Sequence, residues 1–257
     1  MRFYQQQHRF YGGVDLHARC MYLCILDAAG QRLLHRGYPA DRHSFLDAVA
    51  PYRNGLVVAV ECMFAWYWLA DLCAEQDIPF VLGHALYMKA IHQGKSKNDR
   101  LDAAKIAGLL RGGLLPQAYV YPKAMRATRD LLRRRSFLVR RRADLLAHLV
   151  NTNSQYNLPP LNKKLVYPAN RGELNLAERF TEPSAKKLVE CDLALVDALD
   201  LQIHELERHL VPTAKIHDPQ AYARLQSIPE LGVQLPGPGL VHVCLPMLST
   251  LTLWAGV

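Results

Sequence analysis

The chain has 257 residues, of which 50% are hydrophobic and 21% charged, and this composition excludes a disordered chain, a collagen-like repeat and a small disulfide-stapled domain. The formal net charge of +8 at pH 7 favours an anionic partner, either nucleic acid or an acidic membrane surface. The six cysteines form no Cys-x-x-Cys pair, so we expect reduced thiols in a cytoplasmic protein. Residues 231–257 lack charge, but Pro236, Pro238 and Pro246 disfavour a continuous helix, and we expect no membrane span.

The first third of the chain alternates between strand and helix patterns. Polar and apolar residues alternate over 10–16, 20–26 and 32–38, which predicts three strands. A helix is expected over 42–52, then a buried strand over 55–60, a helix over 65–76 and a short strand over 79–82. The sequence therefore predicts an α/β fold with a mixed sheet.

Four carboxylates stand out in this region. Asp15 lies inside the first predicted strand, and Glu61 ends the buried strand. Asp99 and Asp102 are three residues apart, so a helix that begins near Asn98 carries both on one face. Taken alone, this last pair would only cap a helix, but four carboxylates at one sheet edge can hold two Mg²⁺ ions. Such ions can assist phosphoryl transfer.

The positive charge is concentrated between Lys123 and Leu149, a segment that contains nine Lys or Arg residues and only two acidic ones. A seven-residue apolar repeat over this segment predicts a helix with its arginines on a separate face, and a second heptad pattern runs from Val189 to Leu210. We expect a helical coiled coil over 123–211 that binds nucleic acid and supports a homo-oligomer or an intramolecular hairpin. The candidate nucleic-acid contacts are Lys95, Lys97, Arg126, Arg129, Arg133, Arg134, Arg135, Arg140, Arg141 and Arg142.

The segments Gly13-Val14-Asp15-Leu16-His17, Val60-Glu61 and Lys97-Asn98-Asp99-Arg100-Leu101-Asp102-Ala103 resemble the DEDD transposases of insertion-sequence family one hundred and ten. The resemblance implies an RNase H-like (RuvC-like) catalytic domain over 8–122, followed by the coiled coil. It also implies that Asp15, Glu61, Asp99 and Asp102 are the catalytic, Mg²⁺-binding tetrad. In that family a structured guide RNA pairs with DNA and directs recombination, so DNA and such an RNA are the expected partners.

The same family carries a serine nucleophile in a C-terminal domain. Residues 225–232, with Ile228, Pro229 and Gly232, resemble the start of that domain, but the following sequence loses family character. We therefore expect 212–257 to be a truncated start of that domain with an aberrant tail, and we do not nominate Ser249 as the nucleophile. On this interpretation the chain binds Mg²⁺ and nucleic acid without recombining DNA.

Three alternatives remain open at this point. The same carboxylates would serve a structure-selective nuclease of the Holliday-junction-resolvase type. A non-catalytic nucleic-acid-binding protein would need only the basic helix. A protein that binds acidic membranes ranks last, because the apolar stripe of the basic helix lacks tryptophan.

Overall fold

The computed structural model describes residues 2–91 and 99–217, with 219–220 and 223, while the side chains of 89–91, 99–100 and 214–217 lie outside this description. Residues 1–123 form one compact unit and residues 124–257 belong to a second. Lys95 and Lys97, and the C-terminal segment with Ser249, lie outside the described residues.

The first unit is built on a five-stranded mixed sheet. Its strands, in chain order, are β1 (Phe10–Leu16), β2 (Cys20–Asp27), β3 (Arg32–Pro39), β4 (Leu56–Glu61) and β5 (Phe80–Gly83). The spatial order is β3-β2-β1-β4-β5; β1 pairs antiparallel with β2 and parallel with β4. The predicted α/β fold with a mixed sheet is confirmed.

Helices cover both faces of this sheet. They are α1 (Arg42–Val49), α2 (Tyr67–Glu75), α3 (Ala85–Ile91) and α4 (Asp99–Arg111). One core contains Val14 and Val60 with Phe45 of α1 and Leu69 of α2. The opposite face carries Tyr11, Val57 and Ala59, which pack against Ile106, Leu109 and Leu110 of α4. Strand side chains alternate between faces, so the odd-numbered residues of β1 and β4 lie on the α4 side.

Helix α1 is shorter than the sequence suggested. Asp41 caps it, accepting a hydrogen bond from the backbone N–H of Ser44 at 2.8 Å. The helix ends at Val49 and continues as a 3₁₀ turn over Ala50–Tyr52. Pro51 explains the change, because proline has no N–H to donate to the carbonyl four residues earlier.

The second unit contains two long helices, α5 (Lys123–Gln155) and α7 (Pro183–His217), with the short helix α6 (Pro168–Leu174) and a 3₁₀ turn (Leu176–Arg179) between them. Ion pairs made by arginines of α5 join this helix to α7. Nε of Arg135 donates to Glu207 at 2.8 Å, and Nη1 of Arg142 donates to Asp200 at 2.5 Å. From Arg135 to Arg142 the chain advances seven residues along α5, while their partners, Glu207 and Asp200, step back by seven residues along α7. The two helices therefore run antiparallel.

The second heptad pattern forms the buried side of α7. Val189, Val196, Ile203 and Leu210 are each at most 3% exposed within the single chain. Asp192, which interrupts this pattern, lies 2.6 Å from Nδ1 of His148 on α5. The seam that the sequence offered for self-association is therefore covered within the chain, and a homo-oligomer would have to use other residues.

Among the described residues, no helix is both long enough and apolar enough to cross a membrane.

Candidate active site and basic helix face

Asp15 and Glu61 lie side by side at the carboxyl ends of two parallel strands. The register of β1 and β4 pairs Val14 with Val60, and each acidic residue follows by one position. Adjacent strands are about 4.8 Å apart. Both residues are odd-numbered, so their side chains lie on the face of the sheet that α4 covers. Each is partly exposed rather than buried in the core.

Helix α4 brings the second half of the acidic motif to the same edge. It crosses β1 at Gly13, where a Cβ atom would lie 2.3 Å from the Ala103 carbonyl oxygen. At its other end, Nη1 of Arg111 donates to the Ala28 carbonyl at 3.4 Å, beside the start of β1. The N-terminus of α4 therefore points toward the carboxyl end of β1.

The distances along the two elements agree. From Ala103 back to Asp99 the helix axis rises about 6 Å, and from Gly13 forward to Asp15 the strand advances about 6.6 Å. The backbone thus places Asp99 and Asp102 near the carboxyl end of β1, where Asp15 lies. The side chain of Asp99 lies outside the described part of the chain.

Two basic residues that the sequence did not single out touch the carboxylates. Nε2 of His17 lies 3.4 Å from Oδ2 of Asp15, and Nζ of Lys105 donates to Oδ1 of Asp102 at 2.9 Å. Both could have been anticipated, since His17 follows Asp15 by two residues and Lys105 follows Asp102 by three on a helix. A cation bound by Asp102 would compete with Lys105 for the same oxygen.

The chemistry of these donors fits magnesium, which prefers carboxylate oxygens. Among the side chains that the structure describes, no group of three or more His, Cys, Asp or Glu is arranged to hold a metal ion. The backbone thus brings the four acidic positions to one sheet edge, while the described side chains of Asp15, Glu61 and Asp102 do not form a closed ligand set.

The second unit presents an exposed basic face on α5. Arg133, Arg134, Arg140 and Arg141 are exposed. Phe137, which sequence reasoning missed, is 40% exposed between them. The guanidinium carbons of Arg134 and Arg141 lie 5.5 and 5.1 Å from its ring centroid. The signal was present in the sequence, because Phe137 follows Arg134 by three residues and precedes Arg141 by four.

The remaining arginines of the predicted set do not share this face. Arg126 and Arg135 are buried, Arg142 is largely buried against Asp200, and Arg129 lies 3.5 Å from Asp130. The expectation of one exposed face for all of them is thus not met. Successive helical residues point about 100° apart, so three consecutive arginines cannot all face solvent on one side. We therefore remove Arg126, Arg135 and Arg142 from the phosphate-contacting candidates.

Comparison with known proteins agrees with the acidic motif. The family model of the IS110-type DEDD transposases, described as "Transposase", matches residues 12–157, which is more than half of the chain. The match runs from β1 to the end of α5 and includes all four acidic positions. A search of curated proteins found no match. The chain belongs to the family of IS110-type DEDD transposases.

Proposed function

We propose that this transposase cleaves DNA strands at a metal-dependent site made by Asp15, Glu61, Asp99 and Asp102, whereas strand transfer also requires the serine nucleophile that the family carries. The observation that carries the proposal is the convergence of two adjacent strand ends with the N-terminus of α4. We assign the first unit to the RNase H-like (RuvC-like) class, and its strand order, with three antiparallel strands followed by two parallel ones, supports this assignment.

The role of the acidic residues follows from their positions. Two Mg²⁺ ions held by these carboxylates would neutralise negative charge on the attacking and leaving oxygens of a phosphoryl transfer. Asp15 and Glu61 are held on rigid adjacent strands, so their spacing is set by the sheet. The position of Asp102 depends on the packing of α4 against Gly13. The imidazole of His17 lies beside Asp15, and Lys105 supplies positive charge beside Asp102.

We further propose that the exposed arginines of α5 bind the phosphates of DNA and of a structured guide RNA. Arg133 and Arg140, like Arg134 and Arg141, are seven residues apart, which corresponds to about 10.5 Å along the helix. Phe137 gives this face an aromatic ring for contact with an unpaired base. The pairing of α5 with α7 at seven-residue intervals supports an antiparallel, intramolecular coiled coil.

Removal of one carboxylate tests the acidic site. Asp15→Asn should lose the Mg²⁺-dependent rise in melting temperature and the Mg²⁺-dependent nicking of DNA that carries the element's own ends. The matched control is Asp47→Asn on α1, where the carboxylate is exposed and paired only with His43 among the described residues. Equal Mg²⁺ stabilisation of the wild type and Asp15→Asn would refute the site.

A salt titration tests the basic face. Changing Arg133, Arg134, Arg140 and Arg141 together to glutamine should weaken binding to all sequences and reduce the slope of log K against log salt by about 3.6 units for duplex DNA and about 2.8 for a single strand. The control is Lys187→Gln on α7, which removes one exposed charge away from this face. An unchanged slope in the quadruple variant would exclude α5 as the phosphate-binding element.

A further inference from the structure

Large hydrophobic side chains are exposed around the acidic edge of the first unit. Phe64 is 73% exposed and Leu86 is 71% exposed, the highest values among the large hydrophobic side chains that the structure describes. They follow the carboxyl ends of β4 and β5, adjacent strands in which Glu61 is paired with Gly83. The other exposed large hydrophobic residues of this edge are Met63, Tyr87 and Leu101. Such concentrations of exposed apolar surface mark interaction sites.

The loop after β4 holds Phe64 at the surface. The N–H of Met63 donates to the Glu61 carbonyl at 2.7 Å, so the chain turns directly after the acidic residue. Ala65 and Trp66 then pack on the core that contains α2. Because the residues after it are anchored in this core, Phe64 stays on the surface beside the acidic edge. Its Cα atom can lie no more than about 11 Å from that of Glu61, since only three residues separate them.

A second exposed ring follows the end of β5. His84 comes directly after Gly83, the residue paired with Glu61, and the centroid of its ring lies 4.4 Å from that of Tyr87. Helix α3 is anchored by Met88, which is buried in the core on the α4 side of the sheet, while Tyr87 is exposed. An exposed aromatic side chain therefore follows the end of the strand that carries Glu61 and also the end of the adjacent strand.

The neighbouring carboxylates indicate what these rings contact. Asp15 and Glu61, with bound Mg²⁺, are proposed to take a DNA phosphate, and only one sugar joins that phosphate to its base. In a duplex each base is already stacked on its neighbours, so only an unpaired base can offer its face to a side chain. Aromatic side chains stack on such bases whatever their sequence.

We propose that Phe64 and Tyr87 stack on unpaired bases next to the phosphate at the acidic site. The substrate of this site is then DNA that is unpaired or unstacked at the cleavage position, rather than a regular duplex. This inference rests on the proposed metal-dependent cleavage and adds a substrate class to it.

The test compares two labelled DNA probes of equal length, one fully paired and one with a central unpaired stretch. Fluorescence anisotropy measures their binding to the full chain, with Ca²⁺ in place of Mg²⁺ to limit cleavage. Every protein tested carries Phe137→Ala, which removes the exposed ring from the arginine face of α5. This parent should bind the unpaired probe about tenfold more tightly than the duplex, and adding Phe64→Ala should lose most of that preference. Adding Tyr87→Ala should remove the rest.

Further substitutions separate stacking from a merely structural role. Phe64→Trp keeps a ring and should keep the preference, whereas Phe64→Leu keeps only an apolar side chain and should lose it. Leu114→Ala removes another exposed apolar side chain, beyond the C-terminal end of α4, and should behave as the parent does. The urea midpoints, followed by circular dichroism, should be the same in all these variants, because the altered side chains are exposed.

Photo-crosslinking locates the unpaired base. A probe with 5-iodouracil in its unpaired stretch forms adducts with aromatic rings that it contacts, and mass spectrometry should find the adduct at Phe64 or Tyr87. Adducts at other residues alone, or the same preference with and without Phe64→Ala, overturn the inference, including the case in which a second copy of the chain covers this patch.

The Mg²⁺-dependent rise in melting temperature keeps the two proposals apart. Phe64→Ala should retain this rise, because it leaves every carboxylate in place. If the rise persists but the protein does not prefer the unpaired probe, the inference fails and the proposed metal site stands. If the rise is absent from the wild type, or neither probe binds, the proposed function fails together with the inference.

Discussion

Replacing Gly13 by alanine tests the contact on which the acidic site depends. Gly13 lies in β1 directly under α4, where an added Cβ would lie 2.3 Å from the carbonyl oxygen of Ala103 and 2.4 Å from the backbone nitrogen of Ala107. Both neighbours are backbone atoms, so no side chain can rotate away. Ordinary contact begins at about 3.4 Å, and α4 must therefore retreat by about 1 Å.

The expected cost is that of overpacking a rigid core, about 1–3 kcal/mol in the free energy of unfolding. Gly12 provides the matched control on the same strand. An added Cβ there meets its nearest atoms at 3.4–3.5 Å, mostly in side chains on the other face of the sheet. Gly12→Ala should be neutral or slightly stabilising, because alanine loses less backbone entropy than glycine.

Urea denaturation followed by tryptophan fluorescence measures this difference in the first unit. Trp66 and Trp68 both belong to that unit, and Trp254→Phe removes the third tryptophan from the signal. Retreat of α4 also carries Asp102 away from Asp15, so Gly13→Ala should lose Mg²⁺-dependent stabilisation although every carboxylate is present. If Gly13→Ala is no less stable than Gly12→Ala and retains the metal response, α4 does not lie on β1 as described.

Three further results are expected. Gly108→Ala in α4 should raise the free energy of unfolding by about 0.5–1 kcal/mol in the same urea assay, because alanine favours a helix and an added Cβ meets nothing within 4 Å. A loss of stability would show that the space beside Gly108 is occupied. Arg135→Met should lower the free energy of unfolding by about 3–5 kcal/mol, because it leaves Glu207 buried without its partner, and adding Glu207→Met should recover most of this loss. The urea midpoints should not change with protein concentration, since the pair lies within one chain. Burial raises the pKa of the Cys73 thiol to about 12, so at pH 8 only about one thiol in ten thousand is ionised. After alkylation of the native protein at this pH, mass spectrometry should find the exposed Cys191 modified and Cys73 unmodified. Rapid alkylation of Cys73 would contradict its burial.

The strands of the first unit were predictable because their signals are local. The bounds of β1 match the prediction, and those of β2 and β3 extend it by one residue each. Alternation of polar and apolar residues depends only on which face of a half-covered strand is buried. By contrast, α3 and α6 were not predicted. Each has only seven residues, too few for a hydrophobic periodicity to be recognised.

The sequence was enough to nominate the acidic residues as a candidate site, but it did not predict how they are arranged in space. Asp15 and Glu61 could be assigned to strand ends from the sequence, whereas their adjacency depends on β4 pairing parallel with β1. The close packing of α4 on β1 depends on Gly13, and one glycine within a strand pattern does not reveal which helix will approach it. Such long-range contacts are decided by the packing of elements distant in sequence, for which a single sequence carries no local signal.

The repeated arginine triplets of α5 divide between the surface of the protein and the contact with α7. In each triplet the first two members, Arg133 and Arg134 or Arg140 and Arg141, are exposed, while Arg135 and Arg142 turn inward to α7. A slip of one heptad between the helices would leave one inward arginine and one carboxylate without partners, at a cost of about 3–5 kcal/mol for a buried pair. The inward arginines therefore fix the register of the hairpin. The geometry of α5 itself holds the outward pairs of arginines about 10.5 Å apart, a constant spacing that suits the proposed contact with a phosphate backbone.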